Sequence, residues 1–393
     1  MENRNLAELA TDAVALTKAL IRIPSVNPPG DEEDCARFVA RLLEAIGFGV
    51  TLQQFGERRF NLVADLAGSG DGDPIGFTGH FDTVPLGNAA WSCDPFSAEE
   101  SNGRVHGRGS SDMKAGIAAF IAACASVLDD LKKTAGVHLV LTGGEETGCD
   151  GAKALAAVTP PLIRKLSLLI VGEPTSNYPY IGHKGALWLR GTAHGKTAHG
   201  SMPEQGSNAI YKAVRAIDQL QQFEMNERHA LMGRPTLNVG TIRGGLNINS
   251  VPDKTEFEID IRTVPGMEHQ CLCDRISHFL TSEIDMSVLV DVPPLSTDPG
   301  HAAIRRVFEL CAPFHPEPLV ERAVPYFTDG SVLVPVTGHP PTIILGPGEP
   351  QVAHKTDEYC VIERINQSVQ VYRNALLDPA LRQLAANGQP ADT

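Results

Sequence analysis

No run of 18 or more apolar residues occurs in this 393-residue chain, so no helix of it is expected to span a bilayer. Basic residues are in deficit: 33 lysines and arginines against 47 acids give a formal charge of −14. Nucleic acids and anionic membrane surfaces call for basic patches that displace counterions, so both are disfavoured as partners. The substrate stays unconstrained, because charge at a site can oppose the net charge. Cysteine is scattered. Its eight residues, at 35, 93, 124, 149, 271, 273, 311 and 360, form no CxxC pair and no dense framework, and are expected to be reduced thiols packed as small apolar groups. The opening MENRNLAELATDAVALTKALIRIPS lacks the basic start and apolar core of a secretory signal and reads as a surface helix of a cytoplasmic protein. There is no internal repeat.

What remains is a globular composition, 42% apolar and 20% charged. At roughly 100 to 200 residues per domain, the length implies two domains. Up to about residue 180, short runs rich in Val, Ile and Leu alternate with helix-length segments, the texture of strands buried in an α/β sheet. Strands are expected at 61–66, 74–78, 137–142 and 166–172, and helices at 6–20, 32–46, 114–131 and 151–157. Beyond Tyr180 the texture changes: strands at 186–192, 236–242, 256–263 and 287–292 surround helices starting at Ser207 and Glu268. That β-α-β-β-α-β order describes a ferredoxin-like α+β sandwich. After Pro293 the α/β texture returns, with a strand at 341–345 and a helix from Ile362, and only the closing ANGQPADT reads as a disordered tail. The expected organisation is a catalytic domain split into 1–178 and 293–393, with a lid domain inserted over 179–292.

Four apolar runs each end in a side chain able to bind a metal. GFTGHFD places His80 and Asp82, HLVLTGGEE places Glu145 and Glu146, LLIVGEP places Glu173, and IILGPGEPQVAH places His354. A fifth candidate ligand, Asp112, lies in the glycine-rich GRGSSDMKAG ahead of a helix. Carboxyl ends of strands line the ligand crevice of open α/β sheets. Taken singly, each is an ordinary loop residue, helix-start acid or turn glutamate. Five such coincidences together point to a metal site. Two imidazoles with three carboxylates suit Zn²⁺, Co²⁺ or Mn²⁺, whereas an all-oxygen set suits Mg²⁺ or Ca²⁺. Five ligands exceed the need of one catalytic zinc, and a pair of ions roughly 3.5 to 4 Å apart sharing one carboxylate uses them all. Asp82, two residues beyond His80, is placed to orient the imidazole through its other N–H, or is a turn acid. Glu145, beside a ligand, is free to act as a base.

Together TGHFDTVP, GRGSSDMKAG, GGEETG, VGEPT and GPGE with AHKTDEY resemble the metallopeptidase family of acetylornithine deacetylase, succinyl-diaminopimelate desuccinylase, aminoacylase and glutamate carboxypeptidase. The likeness in order and spacing spans nearly the whole chain. It implies a mixed-sheet, zinc-exopeptidase-like catalytic domain, with the inserted segment as a lid and dimerisation domain. It also implies that Asp112 bridges two metals, that His80 and Glu173 complete one site and Glu146 and His354 the other, and that Glu145 is the general acid/base. A cis peptide after Asp112 belongs to the same pattern. From GKTAHGSMPEQGSNAI, the resemblance makes His199 a residue that reaches the partner subunit's active site. From NSVPDKTEFEIDIR, it makes Asn249 and Arg262 the grips on the substrate's carboxylate and scissile carbonyl; on its own, Arg262 reads as a solvated charge ending a strand. Thr328 and Gly330, in AVPYFTDGSVL, become further substrate contacts, although some relatives carry glycines ahead of this Thr-Asp. The implied activity is hydrolysis of an N-acyl amino acid by metal-activated water in a cytoplasmic homodimer. A carboxypeptidase or dipeptidase of the same family, a single-metal aminopeptidase, and a catalytically silent metal-stabilised binding protein are the alternatives. The last of these has no use for Glu145.

Overall fold

The apolar runs of the first part of the chain form β1 (Gly49–Gly56), β2 (Arg59–Ala67), β3 (Ile75–His80), β4 (Gly136–Thr142) and β5 (Leu168–Val171). The chain then builds β6 (Gly185–His194), β7 (Thr236–Gly244), β8 (Lys254–Thr263) and β9 (Ile284–Val292), and returns with β10 (Thr342–Ile344). The computed structural model describes residues 6–280 and 282–382; the tail expected over 386–393 lies outside the described residues. Two units result. One holds the chain up to Gly182, Ser296–Arg322 and the part from Thr328, and the other holds His183–Leu295 and Ala323–Phe327. A single insertion over 179–292 does not contain the short return Ala323–Phe327, which belongs with the second unit.

In the first unit a six-stranded sheet runs in the order β1-β2-β4-β3-β5-β10. It is mixed: β1 with β2 and β2 with β4 pair antiparallel, while β4 with β3, β3 with β5 and β5 with β10 pair parallel. Every residue of β3, β4 and β5 is buried, as strands covered on both faces require. The helices of this part are α1 (Leu6–Leu9), α2 (Ala13–Ile21), α3 (Glu33–Ala45), α4 (Ala115–Ala125), α5 (Leu128–Leu131) and α6 (Asp150–Ala156). The α4 sequence AGIAAFIAACA is apolar all round, which only a core helix can be, and its residues from Ala115 to Cys124 are all buried. Phe120 of α4 stacks on Phe77 of β3 with ring centroids 4.2 Å apart.

Two expected helices are interrupted. The segment 6–20 divides at Asp12, whose carboxylate accepts the Ala15 N–H at 2.9 Å and so caps α2 instead of continuing α1. The segment 114–131 divides at Ser126 and Val127: the Ser126 hydroxyl donates to the Ala123 carbonyl at 2.7 Å, and β-branched Val127 takes φ −139°. Strand β1 was not expected, because GVTLQQFG forms a half-exposed edge without a fully buried residue and carries no apolar run.

The second unit follows β6, α7 (Ala209–Leu220), β7, β8, α8 (His269–Phe279) and β9, with sheet order β7-β8-β6-β9 and every neighbouring pair antiparallel. This is the split β-α-β arrangement expected from the alternation of elements. Asn208 caps α7 by accepting from the Ile210 and Tyr211 N–H groups. Alternate residues of β8 are buried, so one face of the sheet carries a core of its own with Leu187, Phe257, Ile259 and Leu272. Among the described residues no helix is long and apolar enough to cross a membrane.

Candidate metal centre

Strands β4, β3, β5 and β10 are neighbours and run parallel, so their carboxyl ends share one edge of the sheet. His80 ends β3, opposite Thr142 of β4; Glu145 and Glu146 follow β4, and Glu173 follows β5. His354 lies beyond β10 at φ +63°, a left-handed backbone that β-carbon-bearing residues hold only where the surroundings impose it. Asp112 reaches the same edge from the turn ahead of α4, where Gly109 sits at φ +81° and the Asp112–Met113 peptide is cis. A Cβ on Gly116 would meet the Gly172 carbonyl oxygen at 2.2 Å. Glycine there lets α4 begin directly against the loop that carries Glu173.

The five expected ligands gather into two sets that share Asp112: His80, Asp112 and Glu173, and Asp112, Glu146 and His354. His80 Nε2 lies 3.1 Å from Asp112 Oδ1 and 3.7 Å from Glu173 Oε1. His354 Nε2 lies 3.2 Å from Asp112 Oδ2 and 3.0 Å from Glu146 Oε2. Donors bound about 2.1 Å from a tetrahedral zinc stand about 3.4 Å from one another, so both sets are spaced to hold an ion. Two imidazoles and three carboxylates also match the donor chemistry of Zn²⁺, Co²⁺ or Mn²⁺.

Crowding of charge shows in the titration of these groups. Burial pushes His80 down, but the Glu173 charge and the carboxylates of Asp112 and Asp82 outweigh it and hold the imidazole well above its ordinary value. Burial likewise pushes Asp112 up, and hydrogen bonds from His354 and His80 overcome it, leaving the carboxyl well below the usual range. Hydrogen bonds to Asp112 and Glu146 raise His354 to about 10. Burial raises Glu173 to about 7 and raises Glu146 as well. A cation entering such a site displaces protons from its ligands.

Glu145 is 5% exposed, and its carboxyl is pushed well above the ordinary glutamate value, first by burial and further by the charges of Glu173, Glu146 and Asp329. Its main chain is held in place: the Glu145 and Glu146 N–H groups each donate to the Asp82 carboxylate at 3.2 Å, and Asn27 Nδ2 donates to the same carboxylate at 2.9 Å. The expected link from Asp82 to His80 takes a different form. His80 Nδ1 lies 2.9 Å from the Asp82 main-chain oxygen and 3.6 Å from its carboxylate, because that carboxylate faces the amides after β4.

The remaining expected residues are distributed differently. Thr328 is fully buried, its hydroxyl oxygen accepts the Gly330 N–H at 3.1 Å, and Gly330 is buried at the start of a short helix. In the second unit, His199 and Asn249 are exposed and adjacent: Gly200 N–H donates to the Asn249 carbonyl at 2.7 Å, and the His199 Nδ1 accepts from the Ser201 N–H at 3.2 Å. Arg262 is half-buried at the other end of the same strands, with Nε 3.0 Å from Asp260 Oδ1 and its guanidinium 5.9 Å from the Phe327 ring centroid. Register places Lys254 opposite His194 and Arg262 opposite Ala186, so the two groups lie at opposite ends of a strand pair about 27 Å long at about 3.4 Å per residue.

Three residues near the centre were not singled out from sequence. Asp329 accepts from the Thr142 hydroxyl at the end of β4 and is raised to about 6 by burial. Arg108 and Glu358 form a buried ion pair, Nη1 to Oε2, at 2.6 Å. Both stand inside the motif stretches GRGSSDMKAG and AHKTDEY, but no local signal in either stretch shows that the two charges meet.

A mixed sheet that collects two imidazoles, three carboxylates and a buried spare glutamate at one edge forms a candidate site for two metal ions. The chain belongs to Peptidase family M20/M25/M40, whose pattern matches residues 76–378, and it is a hydrolase acting on amide bonds. It is 32% identical over 362 residues to an acetylornithine deacetylase of Vibrio cholerae, covering 88% of this chain and 91% of that protein. To a probable succinyl-diaminopimelate desuccinylase of Staphylococcus epidermidis it is 28% identical over 398 residues, covering 92% and 96%. An M20 family metallo-carboxypeptidase from Sulfolobus solfataricus shares the fold, with a TM-score of 0.78 over 93% of this chain and 98% of that one at 18% identity.

Proposed function

We propose that the protein removes the acyl group of an N-acyl amino acid by hydrolysing its amide bond at a pair of divalent ions. The observation that carries this is the sharing of Asp112 by two three-residue donor sets, with Glu145 buried beside them and belonging to neither. The two relatives matched over most of their length support the acyl class, since their names specify an acetyl and a succinyl group.

His80 and Glu173 would hold one ion, Glu146 and His354 the other, and Asp112 both; zinc fits the donors best, with cobalt or manganese as substitutes. When bound, such ions supply Lewis acidity, lowering the pKa of water and polarising a carbonyl. Glu145 takes a proton from the attacking water as the water oxygen bonds to the amide carbon. It then returns the proton to the nitrogen as the C–N bond breaks, releasing a carboxylic acid and an amine. Burial and the neighbouring acid charges raise the Glu145 carboxyl above its ordinary value, which favours its holding a proton between the two steps.

The second unit is proposed to act as lid and dimerisation domain. Arg262 would pair with the substrate's free carboxylate through its planar fork. By the family likeness, His199, at the end of the strand pair far from Arg262, would serve the active site of a second copy and donate to the developing oxyanion. Asn249, beside His199, would contact the same substrate. Leu246 and Ile248, 94% and 103% exposed near Asn249, supply apolar surface for such a homodimer.

Replacing Glu145 by Gln tests the base. With both ions retained, turnover of an N-acyl amino acid should fall by about 10²- to 10⁴-fold, and near-normal turnover would remove Glu145 from the role. A panel of N-acyl amino acids assayed with metal-loaded protein identifies the acyl group. Hydrolysis of peptides alone would overturn the acyl class.

A further inference from the structure

Asp112 has an unusual task if it serves both donor sets, because its two oxygens must face two histidines at once. The turn that presents it leaves helical geometry, with φ −116° and ψ 95° at Asp112 and φ −133° at Met113. The N–H groups of such a turn need acceptors from elsewhere in the chain. A single carboxylate supplies three of them. Glu358 Oε1 accepts from the Ser111 N–H at 2.8 Å and the Asp112 N–H at 3.1 Å, while Oε2 accepts from the Gly109 N–H at 3.2 Å. The fourth donor to this carboxylate is Arg108 Nη1 at 2.6 Å, which fills its acceptor capacity.

The same guanidinium reaches outward. It donates to the Lys355 carbonyl, next to His354, and to the Pro85 carbonyl, in the segment after His80 and Asp82, both at 3.2 Å. Glu358 is fully buried and Arg108 is 1% exposed. Buried ion pairs are a weak source of net stability, because desolvation offsets their attraction. Their directional bonds are better suited to fixing geometry.

We propose that Glu358, seated on Arg108, is the positioning residue that orients Asp112 toward both histidines at once, so that the affinity of both metal sites depends on it. This rests on the two-metal reading given above. It extends that reading to a residue that touches neither ion nor substrate.

The test is zinc binding to metal-free full-length protein, followed by competition with a chromophoric chelator, for wild type, Glu358→Gln and Leu43→Ala. The amide of E358Q keeps the shape but turns an NH₂ toward donors. Both zinc affinities should fall together by about 10- to 100-fold, as loss of a partner behind a metal ligand does. Leu43, fully buried in α3, controls for simple destabilisation: L43A should lower the metal-free Tm and leave both affinities of the folded protein unchanged. Should E358Q fail to fold, Glu358→Asp serves, since it keeps the charge on Arg108 and withdraws the oxygens from the turn, and about a 10-fold loss is expected. Both affinities within about twofold of wild type in the folded variant overturn the proposal. Wild type that binds fewer than two ions overturns the two-metal reading itself, a different result from two ions bound equally well by wild type and variant.

Discussion

The two halves of the candidate centre use the same donor types and are built in different ways. The His80 half stands on strand ends: the His80 side chain is 1% exposed, that of Glu173 5%, and parallel pairing of β3 with β4 and β5 fixes their heights. The His354 half depends on a loop, with the His354 side chain 51% exposed on a left-handed backbone. Asp112 is the only side chain common to both sets. The contrast lies in the histidines: His80 stands at a strand end in the folded core, whereas His354 is set at the surface by a loop, although its partner Glu146 follows β4 with a side chain only 7% exposed.

Removing one histidine from each half should break this comparison most visibly. His80→Ala strips the Asp82 main-chain oxygen, Asp112 and Glu173 of a buried partner. It should cost the metal-free protein about 1 to 3 kcal/mol in addition to one ion. His354→Ala should lose the other ion at less than about 1 kcal/mol, the worth of an exposed ion pair. Denaturant melts beside elemental analysis read both quantities, and equal destabilisation by the two variants would erase the asymmetry.

A smaller effect sharpens the comparison. The Asp82 carboxylate serves the Glu145 and Glu146 amides, whereas His80 rests on the Asp82 main-chain oxygen. Asp82→Asn should therefore weaken the Glu146–His354 ion by about 10-fold and the His80 ion less. Equal weakening of both sites in a zinc titration would show that the carboxylate, at 3.6 Å, orients His80 after all.

Much of this centre was legible in the sequence, because ligands that directly follow apolar strands announce themselves locally. His80, Glu146 and Glu173 are of this kind, and the parallel sheet brings them together with His354 and Asp112. What could not be read depends on contacts between distant parts of the chain. Nothing near Glu358 in sequence predicts that it accepts from Gly109, Ser111 and Asp112, and nothing near Thr328 predicts its complete burial. The breaks at Asp12 and Ser126 were missed for the opposite reason: apolar periodicity runs straight through them, and one side-chain hydrogen bond decides each. Strand β1 escaped because an edge strand with half-exposed residues carries little apolar signal.

The most direct test of a shared Asp112 is metal content per chain, by elemental analysis after zinc loading, for wild type and Asp112→Ala. Two ions in the wild type and none held tightly by the variant are expected, because the substitution removes a ligand from both sets. A variant that still binds one ion with wild-type affinity would contradict the bridge and leave Asp112 as a ligand of a single site.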